Sequence, residues 1–378
     1  MTSPTPEEVH RSALVLDCHA DTPQRFVDEN WSFTDGVGTG QLSLDTARAG
    51  GLAGEIFALW VDPDQWPGRF AHRAFSLLDG LLEQIRLHPN DLQLCLTPDD
   101  ILTAKAANRF AAVIAIEGGH AIENDLGLLR LFHRLGVRCM TLTWSNSNEW
   151  ADSSGDIDDP AIPHHGGLTP FGREVIAEMN RLGIIIDVSH VSDATFWDVL
   201  RTTRAPIIAS HSSSRVLTQA PRNLTDEMLR ALATANGVAM VNFFPAFIDE
   251  NWRQAWNAQR EERVAAHAIL EKQYEGTPVP FHASNKLDRD FAARIGRAPF
   301  DSLIDHFMHM IDVAGIDHVG IGTDFDGIPQ PPDGIDTAAD LPKFTAALMA
   351  RGCSAEDMHK LLGGNLMRVF RDIQFAAS

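Results

Sequence analysis

The chain has 378 residues, of which 44% are hydrophobic and 22% charged, and its formal net charge is −20. This composition is that of a globular protein, and barrels of alternating strands and helices often reach this length as one domain. The acidic balance argues against a nucleic-acid partner, because no excess of cations is available to neutralise phosphates. We therefore expect a single domain over residues 1–378.

No segment of the chain resembles a targeting or membrane-spanning sequence. The amino-terminal stretch MTSPTPEEVHRSALVLD lacks the basic and apolar regions of a signal peptide. No apolar run approaches the roughly 18 residues that a membrane span requires. The four cysteines are scattered and form no CxxC pair, which is typical of reduced thiols. We predict a cytoplasmic protein without a membrane partner.

Short apolar runs alternate with longer helical patterns, which is typical of parallel βαβ units. Most of these runs are continuously apolar, as expected for strands buried on both faces. Eight candidate strands are found, at residues 14–16, 55–60, 112–116, 138–143, 184–188, 206–209, 238–242 and 318–322. We predict an α/β fold, a (β/α)8 TIM-type barrel.

The clearest predicted helix precedes the fifth of these strands. Thr169 can cap its amino terminus, Pro170 takes the first helical position, and Gly183 ends it. Two stretches interrupt the alternation: a polar loop at 146–167, and residues 245–299 with a charged helical section at 252–275. Insertions after barrel strands form lids or pocket walls. We predict a helical insertion between the seventh and eighth strands.

Polar side chains follow directly after five of the predicted strands. They are DCHAD at 17–21, EGGH at 117–120, DVSH at 187–190, SHS at 210–212 and GTDFDG at 322–327. In a barrel the carboxyl ends of the strands converge at one face, where catalytic residues gather. Each segment taken alone is more simply a turn, a cap or a core residue. Their coincidence at one face indicates a site.

The residue types in these segments are those of a two-metal site. His19 and Asp21 are two apart, so on extended backbone both can bind one ion. His190 and His211 follow adjacent strands and can hold a second ion, with Glu117 as a bridge between the two. Imidazole and carboxylate suit zinc and similar metals.

Two ions in such a site can share a hydroxide and polarise a carbonyl. Asp324, after the last predicted strand, is then the acid/base that takes the proton of water and passes it to the leaving amine.

In these residues the chain resembles the membrane (renal-type) dipeptidase family, metallopeptidases of the amidohydrolase-like barrel superfamily. The resemblance covers residues from about 15 to about 370. It rests on an ordered set of segments: HADTP at 19–23, IEGGHAI at 116–122, TLTWSNSNEWADSS at 141–154, GLTPFGREVIAEMNRLGIIIDVSHVS at 167–192, APIIASHSSSR at 205–215, PRN at 221–223, VNFFPAFI at 241–248, GIGTDFDG at 320–327 and GGNLMRVF at 363–370.

The resemblance implies a barrel with a binuclear centre, usually of zinc. The implied ligands are His19, Asp21, Glu117, His190 and His211. It places the acid/base role on Asp324 and the arginine for the substrate carboxylate on Arg222, whose guanidinium matches a carboxylate bidentately. We predict that Asn223, beside this arginine, also contacts the substrate.

The chain departs from the family at one position. The family usually has a histidine after Thr-Leu-Thr that contacts the scissile carbonyl or the tetrahedral intermediate, and Trp144 stands there in this chain. Indole has one N–H donor and no second titrating nitrogen. Trp144 therefore either donates a hydrogen bond to the substrate or forms a wall of its pocket, and both interpretations stay open.

We predict a zinc-dependent dipeptidase that hydrolyses L-Xaa-L-Xaa and L-Xaa-D-Xaa dipeptides by a metal-bridging hydroxide, with Asp324 and Glu117 as catalytic residues. Two divalent ions per chain and a homodimer are expected. One alternative is hydrolysis of another small amide, such as an N-acyl amino acid. The other is a non-catalytic metal-binding relative, which the missing histidine favours and the intact set of ligands opposes.

Overall fold

The computed structural model describes residues 4–377. Within them, nine strands form one parallel sheet: β1 Val15–Ala20, β2 Leu52–Trp60, β3 Leu92–Leu94, β4 Phe110–Glu117, β5 Val137–Thr141, β6 Ile185–Asp187, β7 Ile208–Ala209, β8 Val238–Asn242 and β9 Val319–Gly322. Eight of them are hydrogen-bonded in the order β1-β2-β4-β5-β6-β7-β8-β9, and β3 pairs with β4.

The first and last strands of this order meet and close the sheet. Ala20 forms a parallel bridge with Phe325. The Asp21 amide donates to the Phe325 carbonyl at 2.9 Å, and the Asp324 amide donates to the His19 carbonyl at 3.0 Å. The sheet is thus a nearly closed eight-stranded barrel, and the predicted TIM-type fold is confirmed.

Most strand bounds differ by a few residues from the prediction, and two of the differences have a clear physical reason. The short strand β3 was not predicted, because its three residues Leu92–Leu94 include a central glutamine and give no clear apolar run. It pairs with the beginning of β4, where Leu92 is opposite Phe110. The strand predicted at 14–16 continues to Ala20, because Asp17 is buried and accepts from the Thr323 amide at 2.8 Å instead of facing water.

The α-helices surround the barrel and cover its outer face. They are α1 Pro6–Ser12, α2 Pro23–Asp28, α3 Leu44–Ala49, α4 Phe70–Leu87, α5 Pro98–Ala106, α6 Leu126–Arg134, α7 Pro170–Leu182, α8 Asp193–Thr202, α9 Asp226–Thr234, α10 Pro245–Ile248, α11 Glu250–Ala258, α12 Arg260–Gln273, α13 Phe281–Ile295, α14 Phe300–Ala314, α15 Leu341–Ala350, α16 Ala355–His359 and α17 Asn365–Ala377. Short 3-10 turns occur at Gly119–Ile122, Ile316–His318 and Ala338–Asp340, and a π turn at Lys360–Gly364. Among residues 4–377, no helix combines the length and apolar character of a membrane span.

Helix α7 has the ends that the sequence predicts. The Thr169 hydroxyl accepts from the Gly172 amide at 3.2 Å, and Pro170 is the first helical residue. Gly183 ends the helix with φ +71°, a left-handed conformation that glycine adopts without strain.

Successive strand residues pack on opposite faces of the barrel, as the period of two requires. Ile114 and Ile116 of β4 belong to the apolar layer beneath the surrounding helices. Their neighbours Val113 and Ala115 join residues of β1, β6, β7 and β8 in a second cluster, which includes Phe370 of α17. The barrel interior is therefore a packed core that leaves the strand ends to carry polar groups.

Between β8 and β9 the chain forms the helices α10–α14. Trp252 and Trp256 of α11 pack with Phe291 of α13 in a separate small cluster. Helix α13 also reaches the rim of the barrel. The Phe281 amide donates to Asp28 Oδ2 at 3.1 Å, and Asn285 Nδ2 donates to the Asp326 carbonyl at 2.9 Å. These helices therefore border the face on which the predicted site lies.

Candidate active site

The five predicted ligands lie together at the carboxyl ends of the barrel strands. His19 belongs to β1, Asp21 follows it directly, and Glu117 is the last residue of β4. His190 follows β6 and His211 follows β7. All five side chains are buried. The parallel strands thus bring together residues that are far apart in sequence.

Glu117 lies at the centre of this group. Its Oε2 is 3.3 Å from His19 Nε2, and its Oε1 is 2.9 Å from His190 Nε2 and 3.6 Å from His211 Nε2. Asp21 Oδ2 is 3.7 Å from His19 Nε2 on the other side. One oxygen of Glu117 therefore faces His19 and the other faces the remaining two histidines, as a bridging carboxylate requires.

Unpartnered atoms in this group show that it fits divalent cations. Among residues 4–377, His19 Nε2 and Asp21 Oδ1 are buried without a hydrogen-bond partner, which costs free energy unless a ligand satisfies them. Donor atoms of His19, Glu117 and His211 lie within 4.8 Å of one another, and so do those of His19, Asp21 and Asp324. Both groups combine imidazole with carboxylate, the donor set of zinc and similar metals.

A buried hydrogen-bond chain orients His211. Ser210 Oγ donates to Asp187 Oδ2 at 2.6 Å and lies 2.7 Å from His211 Nδ1. Because the hydroxyl proton is used on Asp187, Nδ1–H of the imidazole donates to Ser210, and Nε2 keeps its lone pair for a metal. Sequence analysis assigned no role to Asp187 or Ser210, although both belong to the polar segments at 187–190 and 210–212.

The electrostatics of the site favour the metal-binding protonation state at three of the five candidate ligands. Burial lowers the pKa of His190 to about 4, with a further contribution from Arg222, and burial also lowers the pKa of His211. Burial opposes ionisation of Glu117, but His19 outweighs it and holds the Glu117 pKa below its usual value. Neutral imidazole and ionised carboxylate are the forms that bind metal. The other two candidate ligands carry a proton: against the effect of burial, Glu117 and Asp21 raise the pKa of His19 well above its usual value, and burial together with Glu117 raises the pKa of Asp21 to about 8.

Asp324 is held at the edge of this group in an unusual backbone conformation. Its φ is +62°, and His190 has φ +71°; such values in residues other than glycine cluster at functional sites. Asn242 Nδ2 donates to Asp324 Oδ2 at 2.9 Å. Burial raises the pKa of Asp324 to about 6, against the lowering effect of His19. A carboxyl group with this pKa can exchange protons near neutral pH.

Two residues that support Asp324 escaped sequence analysis. Asn242, at the end of β8, gave no signal beyond its position in an apolar run. Gly327 was read as a turn residue, but a Cβ there would lie 2.1 Å from Asp21 Oδ2 and 2.5 Å from Asp324 Oδ1. Only glycine therefore lets the backbone pass so close to both carboxylates.

Arg222 is a buried cation without an anionic partner. Its Nη1 donates to Ser212 Oγ at 2.7 Å, and its Nη2 donates to the His211 carbonyl at 3.0 Å. Its Nε has no partner, and no carboxylate among residues 4–377 lies within ion-pair distance of it. Burial lowers its pKa to about 10, so the guanidinium stays charged at neutral pH. A buried charge without a counter-ion costs free energy, and an anion bound beside it would offset that cost.

Comparison with known proteins decides the family. The sequence model of the membrane dipeptidase family, peptidase family M19, matches residues 5–378. The chain belongs to this family.

Named relatives agree with this assignment. A dipeptidase of Claviceps purpurea, tcpJ, is 30% identical over 337 residues, which are 87% of this chain and 68% of the relative. An uncharacterised dipeptidase of Schizosaccharomyces pombe is 30% identical over 392 residues, 98% of this chain and 83% of the relative.

Solved structures share the fold. The probable dipeptidase PvdM of Pseudomonas aeruginosa superposes with a TM-score of 0.82 at 27% identity, over 98% of each chain. A metallo peptidase of Rhodobacter sphaeroides, solved with a phosphinate mimic of the dipeptide L-Ala-D-Ala, has a TM-score of 0.77 at 27% identity, over 96% of this chain and 99% of its own. This chain is therefore a metallopeptidase-family barrel along its whole length.

Trp144, which stands where the resemblance implies a histidine, lies at the mouth of the site. Its ring centroid is 6.3 Å from that of His190 and 4.9 Å from that of Trp60. The side chain is partly exposed. Trp144 therefore lies beside His190, a candidate metal ligand, and packs against the ring of Trp60.

Asn223, predicted to contact substrate, uses its amide on the backbone. Its Oδ1 accepts from the Ser213 amide at 3.1 Å, and its Nδ2 donates to the carbonyls of Thr218 at 3.0 Å and Phe247 at 2.8 Å. These bonds fix the loop that carries Arg222. The second lone pair of Oδ1 is not used by these bonds, so the substrate contact expected of Asn223 stays a prediction beside this positioning role.

His306 of α14 fixes the same loop from behind. Its Nδ1 accepts from the Ser214 amide at 3.0 Å, and its Nε2 lies 3.2 Å from the Thr218 hydroxyl. Accepting from an amide requires the neutral imidazole. Burial lowers the pKa of His306 to about 4, with a further contribution from His309.

This pKa predicts a loss of stability in acid. Between pH 6.5, the usual histidine value, and about 4, the unfolded chain binds the proton and the folded chain does not. The free energy of unfolding therefore falls as the pH falls through this window, by up to about 3 kcal/mol from this group. We expect the difference in unfolding free energy between wild type and His306→Gln to shrink by a similar amount, measured by urea denaturation at both pH values. A difference independent of pH would show that His306 titrates normally.

Proposed function

We propose that this protein is a binuclear metal-dependent dipeptidase that cleaves L,L and L,D dipeptides. The observation that carries the proposal is the buried, unpaired guanidinium of Arg222 beside a cluster of metal-binding side chains. An endopeptidase, or an aminopeptidase acting on a long chain, has no need of a buried cation at this place, because the carboxyl terminus of its substrate lies far from the scissile bond. A dipeptidase does, because the free carboxylate of its substrate lies one residue from the scissile bond.

The chain's own residues would divide the work as follows. His19 and Asp21 would hold one ion, His190 and His211 would hold the other, and Glu117 would contribute a carboxylate oxygen to each. When bound, two divalent ions lower the pKa of a water molecule and polarise the scissile carbonyl. We propose zinc for both, since three imidazoles and carboxylates are suitable zinc ligands.

Asp324 would carry the proton. Its carboxylate accepts a proton from the attacking water and delivers it to the nitrogen of the departing amino acid, so the peptide C–N bond breaks to give a neutral amine. Burial raises its pKa above the usual aspartate value, which favours both halves of this exchange near neutral pH. Asn242 keeps the accepting oxygens oriented through its hydrogen bond to Oδ2. Arg222 orients the substrate by its terminal carboxylate.

Tolerance of a carboxyl-terminal D-residue follows from the same arrangement. The amide and the terminal carboxylate are both fixed, so the side chain between them is less constrained. The Rhodobacter relative, solved with a mimic of L-Ala-D-Ala, supports including L,D dipeptides. We also propose a cytoplasmic location, supported by four unpaired cysteines; the homodimer stays a prediction.

A substrate panel tests the proposal. Metal-reconstituted protein is assayed with L,L and L,D dipeptides, dipeptide amides, tripeptides and N-acyl amino acids. We expect the highest kcat/KM with free dipeptides. Preference for N-acyl amino acids would favour the alternative amide hydrolase, and no turnover in protein with full metal content would favour the non-catalytic relative.

Substitution of Trp144 distinguishes its two interpretations. We propose that the indole is a wall of the pocket, because two metal ions can polarise the carbonyl unaided. Trp144→Phe keeps most of the ring and removes the N–H donor, so we expect kcat to change by less than about tenfold. Trp144→His is expected to broaden activity toward ordinary dipeptides. The measurement is steady-state kinetics on protein of known metal content.

The donor interpretation gives a different result. Loss of one donor to a developing oxyanion costs on the order of 10²–10³ in kcat in other enzymes. A drop in kcat of that size for Trp144→Phe, with KM little changed, would contradict the interpretation of Trp144 as a pocket wall.

A further inference from the structure

Three aromatic side chains form a continuous surface at the mouth of the barrel. Trp60 and Trp144 have ring centroids 4.9 Å apart, and Trp60 and Phe281 have centroids 5.8 Å apart. Trp60 ends β2, Trp144 lies in the loop after β5, and Phe281 begins α13. We call these three residues the aromatic wall.

The aromatic wall adjoins the metal-binding group. Trp60 is the register partner of Glu117 in the β2–β4 pair, and the Trp144 ring lies 6.3 Å from His190. All three wall residues are partly exposed. A molecule bound over Glu117 and His190 therefore lies within reach of an apolar aromatic surface.

Phe281 is held firmly although it comes from the helices between β8 and β9. Its amide donates to Asp28 Oδ2 at 3.1 Å, and Asp28 is in turn paired with Arg73 at 2.8 Å. One turn further along α13, Asn285 Nδ2 donates to the carbonyl of Asp326 at 2.9 Å. The third ring of the wall is thus attached to the rim of the barrel at two points.

The strand order shows which part of a substrate meets the wall. β2 and β5 flank β4, which carries Glu117, whereas Arg222 lies in the loop after β7, beyond β6. A dipeptide whose carboxylate is on Arg222 and whose amide is over Glu117 extends its amino-terminal residue toward β2 and β5. In this pose the side chain of the amino-terminal residue lies on the Trp60 side of the site, the side farther from Arg222.

We propose that the aromatic wall binds the side chain of the substrate's amino-terminal residue and makes this enzyme prefer dipeptides that begin with a large apolar residue, such as leucine or phenylalanine. This inference rests on the proposed function. Burial of a large apolar side chain against aromatic rings corresponds to a preference of about 10- to 100-fold over glycine.

Kinetics with a substrate series test the preference. We expect kcat/KM for L-Phe-L-Ala and L-Leu-L-Ala to exceed that for Gly-L-Ala by about tenfold or more. In Phe281→Ala the ratio of Phe-Ala to Gly-Ala should fall about tenfold. Tyr274→Ala is the matched control, since it removes another partly exposed aromatic ring from the same insertion, and its ratio should equal that of wild type.

Binding without turnover separates this inference from the proposed function. Two phosphinate dipeptide mimics, with a benzyl group or a hydrogen in place of the amino-terminal side chain, are compared by calorimetry. We expect the benzyl compound to bind at least about tenfold more tightly to wild type and to lose this advantage in Phe281→Ala. Equal affinities of the two compounds, or equal losses of affinity in Phe281→Ala, would overturn the proposed role of the aromatic wall, even if the protein is an active dipeptidase. Absence of any dipeptide cleavage would overturn the proposed function itself.

Discussion

Replacing Asp324 with asparagine is expected to lower kcat by a factor on the order of 10²–10⁴ while metal content stays at the wild-type level. The amide has the size of the carboxylate but cannot accept and release a proton at neutral pH. Asn242 Nδ2, which donates to Asp324 Oδ2 at 2.9 Å, can still donate to the amide oxygen of the variant. The local structure should therefore persist while proton transfer is lost.

Asp326→Asn is a matched control for this variant. Asp326 is two residues away and is also buried, but its carboxylate accepts from the Gln41 amide and the Thr22 hydroxyl, both at 2.7 Å. Its substitution should lower the melting temperature, and it should lower kcat far less than Asp324→Asn does. Metal analysis of both proteins is essential, because donor atoms of Asp324, His19 and Asp21 lie within 4.8 Å of one another. If Asp324→Asn loses metal and activity in parallel, the main role of Asp324 is that of a metal ligand and not of an acid/base.

Replacing Arg222 with methionine is expected to raise KM for free dipeptides by a factor on the order of 10². Dipeptide amides lack the terminal carboxylate, so their KM should change far less. The reason is that a lost charge partner penalises only those substrates that carry the opposite charge. The measurement is steady-state kinetics with matched pairs of dipeptides and dipeptide amides.

Arg230→Met controls for the loss of an arginine from helix α9, which follows the loop that carries Arg222. Arg230 pairs with Asp226 at 3.6 Å on the exposed face of that helix, and its removal should leave both KM values unchanged. Arg222 also donates to Ser212 and to the His211 carbonyl. Equal losses on dipeptides and amides in Arg222→Met would therefore assign it to holding that loop.

The barrel, and the meeting of the five candidate ligands at one face of it, could be predicted from sequence, because each strand is a short local run and each candidate ligand lies at or directly after the end of one. An apolar run that ends in Asp17-Cys18-His19 marks both a strand and a site. The same polar residues made the predicted strand too short. The apolar run ends at Leu16, whereas β1 continues to Ala20 because Asp17 is buried and hydrogen-bonded.

What sequence analysis missed depends on distant parts of the chain. Asn242 can bind Asp324 only because β8 pairs with β9, which places the two side chains together. Gly327 matters through two carboxylates that approach it in the folded state. Phe281 joins Trp60 only because α13 returns to the rim of the barrel. No local pattern encodes these contacts.

Metal titration of the stripped protein tests the central claim most directly. Chelator-treated protein is reconstituted with increasing zinc, and dipeptide hydrolysis and bound metal are measured on the same samples. We predict no turnover without metal and a plateau of activity at two ions per chain, as the arrangement of His19, Asp21, Glu117, His190 and His211 requires. Full activity at one tightly bound ion per chain, or undiminished activity after complete removal of metal, would contradict the claim that dipeptide hydrolysis requires two bound ions.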